Sequence, residues 1–285
     1  MWTETRTQIP EWIVSERDCS EGYSATRLLG YSAARPFVVV AEKPRSREAE
    51  KPRSREAESH TVVRRRLEKI CTFLTMPAYG PSVRFLKRAD PVLARVIERV
   101  GPCRLQLRTN GTHYEALTRS IVFQQLSGKA ASTILSRFHA LYHSSTPTPG
   151  AVLETTDERL RSAGLSRQKI GYLRDLSAKV ADDSLPLHDI HTMSDADVID
   201  HLVQVKGIGR WTAQMFLMFR LGRPDVLPEL DLGIQNAIRR AYRMRKRPTP
   251  KQVTKIGAKW SPYSTVACWY LWRSLENGDG QLGAK

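Results

Sequence analysis

The chain has 285 residues, 41% hydrophobic and 26% charged, enough for one large domain or two small ones. Lys and Arg number 45 against 29 Asp and Glu, a formal net charge of +16, so the expected partner is a polyanion, most simply nucleic acid. No run of 18 apolar residues argues for a membrane span, and residues 1–20 lack the basic-then-apolar order of a secretory leader, so a cytoplasmic location is expected, at the nucleoid in a bacterium. Cys19, Cys71, Cys103 and Cys268 stand singly, and the seven histidines show no ligand spacing, so no catalytic metal is expected.

Residues 42–57 read EKPRSREAEKPRSREA, a charged tandem octapeptide whose apolar content is alanine and proline. Such a segment cannot bury enough surface to offset its ordering entropy, and a disordered linker is expected. Before it only RPFVVV (35–40) has strand character, and one strand makes no domain. Residues 1–60 therefore read as an extension, and residues 61–285 as an all-helical domain.

Helical signals then follow one another. TVVRRRLEKICTFLTM (61–76) comes first. DPVLARVIERVG opens with Asp90 as a cap and Pro91 at the first helical position. THYEALTRSIVFQQLS and KAASTILSRFHALY are separated at Ser127-Gly128, and TDERLRSAG and SRQKIGYLRDLSAKVADD come next. SDADVIDHLVQVKG carries a capping-box pattern, Ser194 with Asp197 three residues on. TPKQVTKIGAKW and SPYSTVACWYLWRSLENG each begin with a Thr-Pro or Ser-Pro start signal. The sum is about ten short helices and no convincing strand pair. Charge is uneven along this domain. From Leu232 to Leu275 there is no acidic residue, against ten basic ones, and a solvated helix face normally mixes signs.

The most informative stretch is VKGIGRWTA, residues 205–213. Gly207 can take a positive φ and end one helix, while Gly209, with no Cβ, lets a surface approach the backbone just before the next begins. The first amides of that next helix are unpaired and carry the positive end of its dipole. Together these make a phosphate-binding turn. On Gly-x-Gly alone, an ordinary glycine-rich helix connection is the favoured reading. After the apolar helix WTAQMFLMFRL, however, comes GRPDVLPELDLGIQNAIRR, a Gly/Pro-rich loop leading to Asp231.

VKGIGRWTA, GRPDV and LDLG in this order resemble the helix-hairpin-helix, Gly/Pro…Asp superfamily of DNA glycosylases. The match is best to its alkylbase branch, the 3-methyladenine DNA glycosylase II-like enzymes. SIVFQQLSGKAAST (120–133) is similar to that branch's DNA-wedging helix–loop–helix, and GLSRQKIGYLRDLS (164–177) to a recurrent family segment. WSPYSTVACWYLW (260–272) is similar to the helix lining its base pocket. The resemblance spans roughly residues 80–276. It implies an all-α fold with the DNA cleft between two helical subdomains, and a monomeric enzyme acting on double-stranded DNA with damaged bases. Bacterial members often carry an amino-terminal β-rich domain, which residues 1–60 are too short and polar to form. Bifunctional members place a lysine two residues after the second hairpin glycine. Here that position is Trp211, so a Schiff-base lyase is not implied.

The resemblance assigns roles that the residues allow. Asp231 is the candidate catalytic carboxylate, stabilising positive charge on the deoxyribose and orienting or deprotonating the attacking water. Capping the following helix is a compatible role for it. Asp225 and Glu229 are rival carboxylates in the same loop. Trp211 and Trp272 are candidate pocket walls for an electron-poor base, with Met215 one turn beyond Trp211; core packing is the competing role for all three. Gln125 and Leu126 are candidates for filling the hole left by a flipped base. Gly207, Ile208 and Gly209 are candidate backbone contacts to phosphate, and Arg243 and Arg245 supply cations. The family's hairpin carbonyls can also hold a monovalent cation; no other cofactor is implied. Two alternatives stay open, a glycosylase for oxidised or deaminated bases and a non-catalytic damage-binding protein. An acidic or amide-rich pocket would favour the first, an aromatic one the alkylated bases; a carboxylate held against DNA phosphates argues against the second.

Overall fold

The computed structural model describes residues 79–142 and 146–276. The extension expected over 1–60, its octapeptide and the helix expected over 61–76 lie outside the described residues. The described residues form twelve α-helices and one 3₁₀ turn, with no strand among them.

The helices are α1 (Gly80–Ala89), α2 (Pro91–Val100), α3 (His113–Phe123), α4 (Gly128–Ala140), α5 (Pro149–Glu154) and α6 (Asp157–Ser162). After these come α7 (Arg167–Ala181), α8 (Asp195–Leu202), α9 (Arg210–Phe219), α10 (Leu232–Ala241), α11 (Pro250–Gly257) and α12 (Ser264–Glu276). The 3₁₀ turn Ala258–Trp260 follows α11 directly. None is long and apolar enough to cross a membrane.

Caps fix most of the starts. Asp90 receives the amides of Val92 and Leu93 ahead of Pro91, as its sequence position suggests. Thr112 with Glu115 and Thr249 with Gln252 form reciprocal capping boxes. Ser194 also caps its helix by accepting the Asp197 amide, but the Asp197 carboxylate accepts from the Ser194 hydroxyl and not from its backbone amide, so only half of the expected box forms. Three helices differ from the sequence reading. α1 and α5 are extra; each carries Pro at its first or second position, a start signal whose following apolar stripe is short. The helix expected over THYEALTRSIVFQQLS stops at Phe123, and Gln124–Ser127 become a turn.

The packing divides the helices into two groups. In the first, α3 packs on α4, α7 and α9, α7 on α5 and α6, and α8 on α9. In the second, α12 packs on α1, α2 and α10, α1 on α2, and α10 on α2 and α11. The chain returns from the first group to the second through residues 220–231. One continuous core runs through both, with Phe138, Leu173 and Leu217 buried in the first and Leu93, Trp260 and Tyr270 in the second.

Asp90 anchors the second group. Fully buried, it accepts hydrogen bonds from the Tyr242 hydroxyl after α10 and from Trp260 Nε1 at 2.8 Å, with Lys259 at 3.2 Å. Burial pushes its carboxyl up, but the bonds from Tyr242, Trp260, the Leu93 amide and Lys259 outweigh this and hold it below its ordinary 3.8.

Candidate active site

The crossing segment is fastened at both ends. Asp225 accepts hydrogen bonds from the Ser261 hydroxyl at 2.6 Å and the Ser264 hydroxyl at 2.5 Å, and from the Ser264 amide at 3.2 Å. It thereby ties the loop to the start of α12. Glu229 faces Arg210 at 3.4 Å and accepts from Gln214 Nε2 at 3.1 Å. Both rival carboxylates are thus engaged in holding the loop.

Asp231 ends that segment and begins α10. The residue is 7% exposed. Oδ1 accepts the Ile234 amide at 2.7 Å, the N-cap bond, and the indole N–H of Trp272 at 2.9 Å. Oδ2 accepts the indole N–H of Trp211 at 2.7 Å. Trp211 belongs to the first helix group and Trp272 to the second, so the carboxylate sits on the seam, gripped from both sides. A carboxylate offers about four acceptor positions, and three are taken here. Gly233 makes room for this arrangement. A Cβ there would lie 3.0 Å from both Trp272 Cδ1 and Asp231 Oδ1.

The two tryptophans differ. Trp272 is 1% exposed and packs against Phe219, with ring centroids 6.0 Å apart. Trp211 is half-buried. Trp211, Met215 and Phe219 recur at four-residue spacing and so form one stripe of α9. Met215 and Phe219 line a cavity of about 310 Å³ between α3, α4 and α9. Its lining includes the apolar Phe123, Leu135 and Phe216 and the polar Arg108, Asn110, Glu115 and His139. Asp231 is not part of the lining. The stripe on α9 and the Phe219–Trp272 contact connect the two.

The hairpin takes the conformation expected of its glycines. Gly207 has φ of +84°, and a Cβ there would fall 2.2 Å from the Tyr172 ring of α7. Gly209 is the N-cap of α9, and a Cβ there would meet nothing within 4 Å. That open face leaves the first turn of α9 approachable. Ile208 buries its side chain, and its amide donates to the Val205 carbonyl at 3.0 Å. The Lys206 amide donates to Asp175 Oδ2 at 2.9 Å.

Gln125 and Leu126 occupy the turn after α3. Gln125 is exposed with φ of +56°, a left-handed conformation rare for non-glycine residues, and Leu126 is 36% exposed. Arg243 and Arg245 are exposed but lie beyond the far end of α10 from Asp231, a helix about 15 Å long. They do not join the carboxylate site. Within the acid-free segment, Lys259 pairs with Asp90 and Arg273 with Glu276 at 2.6 Å.

Three features were not anticipated from the sequence. They are the indole bonds to Asp231, the space left by Gly233, and Gln124, whose Nε2 donates to the Gly207 carbonyl at 2.7 Å. A glycine two residues after the cap was the one local signal available. Among the described residues, no group of three or more His, Cys, Asp or Glu is placed to hold a metal ion.

Comparison with known proteins gives a consistent result. Residues 118–262 match the model for HhH-GPD superfamily base excision DNA repair protein. The chain is 37% identical over 168 residues to DNA-3-methyladenine glycosylase 1 of Schizosaccharomyces pombe, covering 58% of this chain and 74% of that protein. A solved structure of a 3-methyladenine DNA glycosylase from the same yeast, in complex with abasic DNA, aligns at a TM-score of 0.60 with 34% identity, over 68% of this chain and 95% of that one. The crystal structure of a DNA-3-methyladenine glycosidase from Bacillus halodurans aligns at 0.62 with 38% identity, over 68% and 88%.

Proposed function

The chain belongs to the HhH-GPD superfamily of base excision DNA repair proteins, and on that footing we propose that it is a monofunctional DNA glycosylase that hydrolyses the N-glycosidic bond of alkylated purines such as 3-methyladenine. The observation that carries this reading is the carboxylate of Asp231, held at a helix start on the seam between two helix groups by two indole N–H groups.

In this reading the hairpin and the first turn of α9 grip the backbone of the damaged strand. Leu126 and Gln125 enter the stack as the damaged nucleotide leaves it. The flipped base enters the cavity, where the rings of Phe123, Phe216 and Phe219 offer stacking to an electron-poor purine and Asn110 and Glu115 offer polar contacts; the stacking supports alkylated bases as substrates. As the bond from C1′ to the base breaks, its electron pair leaves with the purine, and positive charge develops on the deoxyribose. Asp231 faces that charge and uses its remaining acceptor position for the incoming water. Water oxygen bonds to C1′, and its proton passes through the carboxylate to solvent. The indoles and the cap prevent the carboxylate from turning away. No lysine stands where a lyase would carry one, so the product is an intact abasic site. The enzyme acts as a monomer without a cofactor.

The test is direct. Alkylated duplex DNA is incubated with the protein, and released bases are identified by mass spectrometry. 3-Methyladenine or another alkylated purine is the expected product, and Asp231→Asn abolishes its release. Release of oxidised or deaminated bases instead would give the substrate class to the alternative, and no release from any damaged duplex would refute catalysis.

A further inference from the structure

Two elements assigned to DNA, the turn at Gln124–Ser127 and the hairpin at Gly207–Gly209, come from distant parts of the chain and are fastened to each other. Gln124 is the residue that ends α3. Its side-chain amide donates to the Gly207 carbonyl at 2.7 Å, across 83 residues of sequence. One helix braces both elements from beneath. Lys169 Nζ donates to the Val122 carbonyl at 2.6 Å, at the end of α3. Tyr172 lies under Gly207, and Asp175 accepts the Lys206 amide at 2.9 Å. Lys169, Tyr172 and Asp175 recur every three residues on α7 and share one of its faces. The turn, the hairpin and α7 thus form a closed triangle, with Gln124 as the side that joins turn to hairpin directly.

We propose that Gln124 is a positioning residue that couples the intercalating turn to the phosphate-gripping hairpin, so that the force of opening the base stack is borne by the hairpin's hold on the backbone. This rests on the glycosylase reading above. A side chain driven between stacked bases is pushed back by them. Next to it, Gln125 holds a left-handed backbone that the surrounding structure must enforce. The bond to Gly207 fixes Gln124, the residue immediately before Gln125. Without that bond the turn recoils and part of the unstacking work is lost. A duplex in which the lesion is already unstacked needs no such work.

The experiment compares the wild-type protein with Gln124→Met, which keeps the length of the side chain but has no donor, and with Gln124→Glu, which keeps its shape. Single-turnover base release is measured on two duplexes, one with an alkylated purine opposite a normal base and one with the same purine opposite a one-nucleotide gap. Release from the paired duplex is expected to fall about tenfold, the fold-change that the loss of one such hydrogen bond carries, with little change on the gapped duplex. For Gln124→Met the salt dependence of binding to undamaged duplex stays as in the wild type, because no charge is added or removed; Gln124→Glu adds an anion at the hairpin, and its release rates are compared at matched saturation. Equal losses on both duplexes would mean that Gln124 only supports the fold, and no loss on either would mean that it does not couple; each overturns the proposal. A second measurement is independent of hydrolysis. The fluorescence of 2-aminopurine rises when it unstacks, and both variants should show a smaller rise than the wild type at saturating protein. If the wild-type protein releases no base, the glycosylase reading fails, while the fluorescence comparison still decides the coupling.

Discussion

Replacing Asp231 tests whether one carboxylate serves both fold and chemistry. In Asp231→Ala, three N–H groups lose their acceptor: the Ile234 amide, Trp272 Nε1 and Trp211 Nε1. Loss of the cap costs about 1 kcal/mol. The buried Trp272 donor is left unsatisfied, at about 1–3 kcal/mol. Trp211 is half-buried and can reach solvent, so its lost bond adds under about 1 kcal/mol. The sum is about 2–5 kcal/mol. Asp231→Asn behaves differently. Its oxygen can still serve Ile234 and Trp272, and the new NH₂ faces only the Trp211 donor, at about 1 kcal/mol. The two variants should therefore differ by about 1–4 kcal/mol, or roughly 2–16 °C in thermal midpoint for a domain of this size. Urea titration and thermal scans measure the difference, and single-turnover base release measures the chemistry. Both variants should be inactive, but only Ala should be markedly less stable. Two variants that melt together, or an Ala variant as stable as the wild type, would refute the shared-carboxylate reasoning.

Gly207→Ala puts a Cβ 2.2 Å from the Tyr172 ring at a φ of +84°, so duplex affinity should fall about tenfold or more, read by anisotropy; an unchanged Kd would show that the hairpin does not grip DNA. Arg243→Ala with Arg245→Ala should weaken binding to damaged and undamaged duplex alike and lower the salt slope by about one for each phosphate left without its cation; an unchanged slope would place the DNA away from the far end of α10. Borohydride should trap no covalent protein–DNA adduct, and product strands should break only after alkali or heat. Asp90 has its folded-state carboxyl held below the ordinary 3.8, so its stabilisation is present above that value and is lost as pH falls below about 4. Asp90→Asn should accordingly show a shallower acid-unfolding curve in that window, and an unchanged curve would remove Asp90 from the acid response.

Local signals made much of the fold legible. Asp90-Pro91 and Thr249-Pro250 mark helix starts because the cap and the fixed proline φ act within one turn. Gly207 is legible because only glycine relieves both a positive φ and a ring pressed against it. The Asp231 cap follows from its place before an apolar-periodic helix. The rest depends on partners that are far apart in sequence. Trp272 reaches Asp231 across 41 residues and Trp260 reaches Asp90 across 170, and no periodicity records either pairing. For the same reason the basic run after Leu232 reads as one patch, although Lys259 turns inward to Asp90 and Arg243 lies beyond the end of α10.

The grip on Asp231 also makes the site observable without substrate. An indole N–H proton gives a well-separated nuclear magnetic resonance, and its chemical shift depends on the acceptor it meets. Trp211 and Trp272 therefore report on the same carboxylate from opposite helix groups, while Trp260, bonded to Asp90, serves as an internal reference. If the two groups part or close around DNA, the first two signals should move and the third should stay in place.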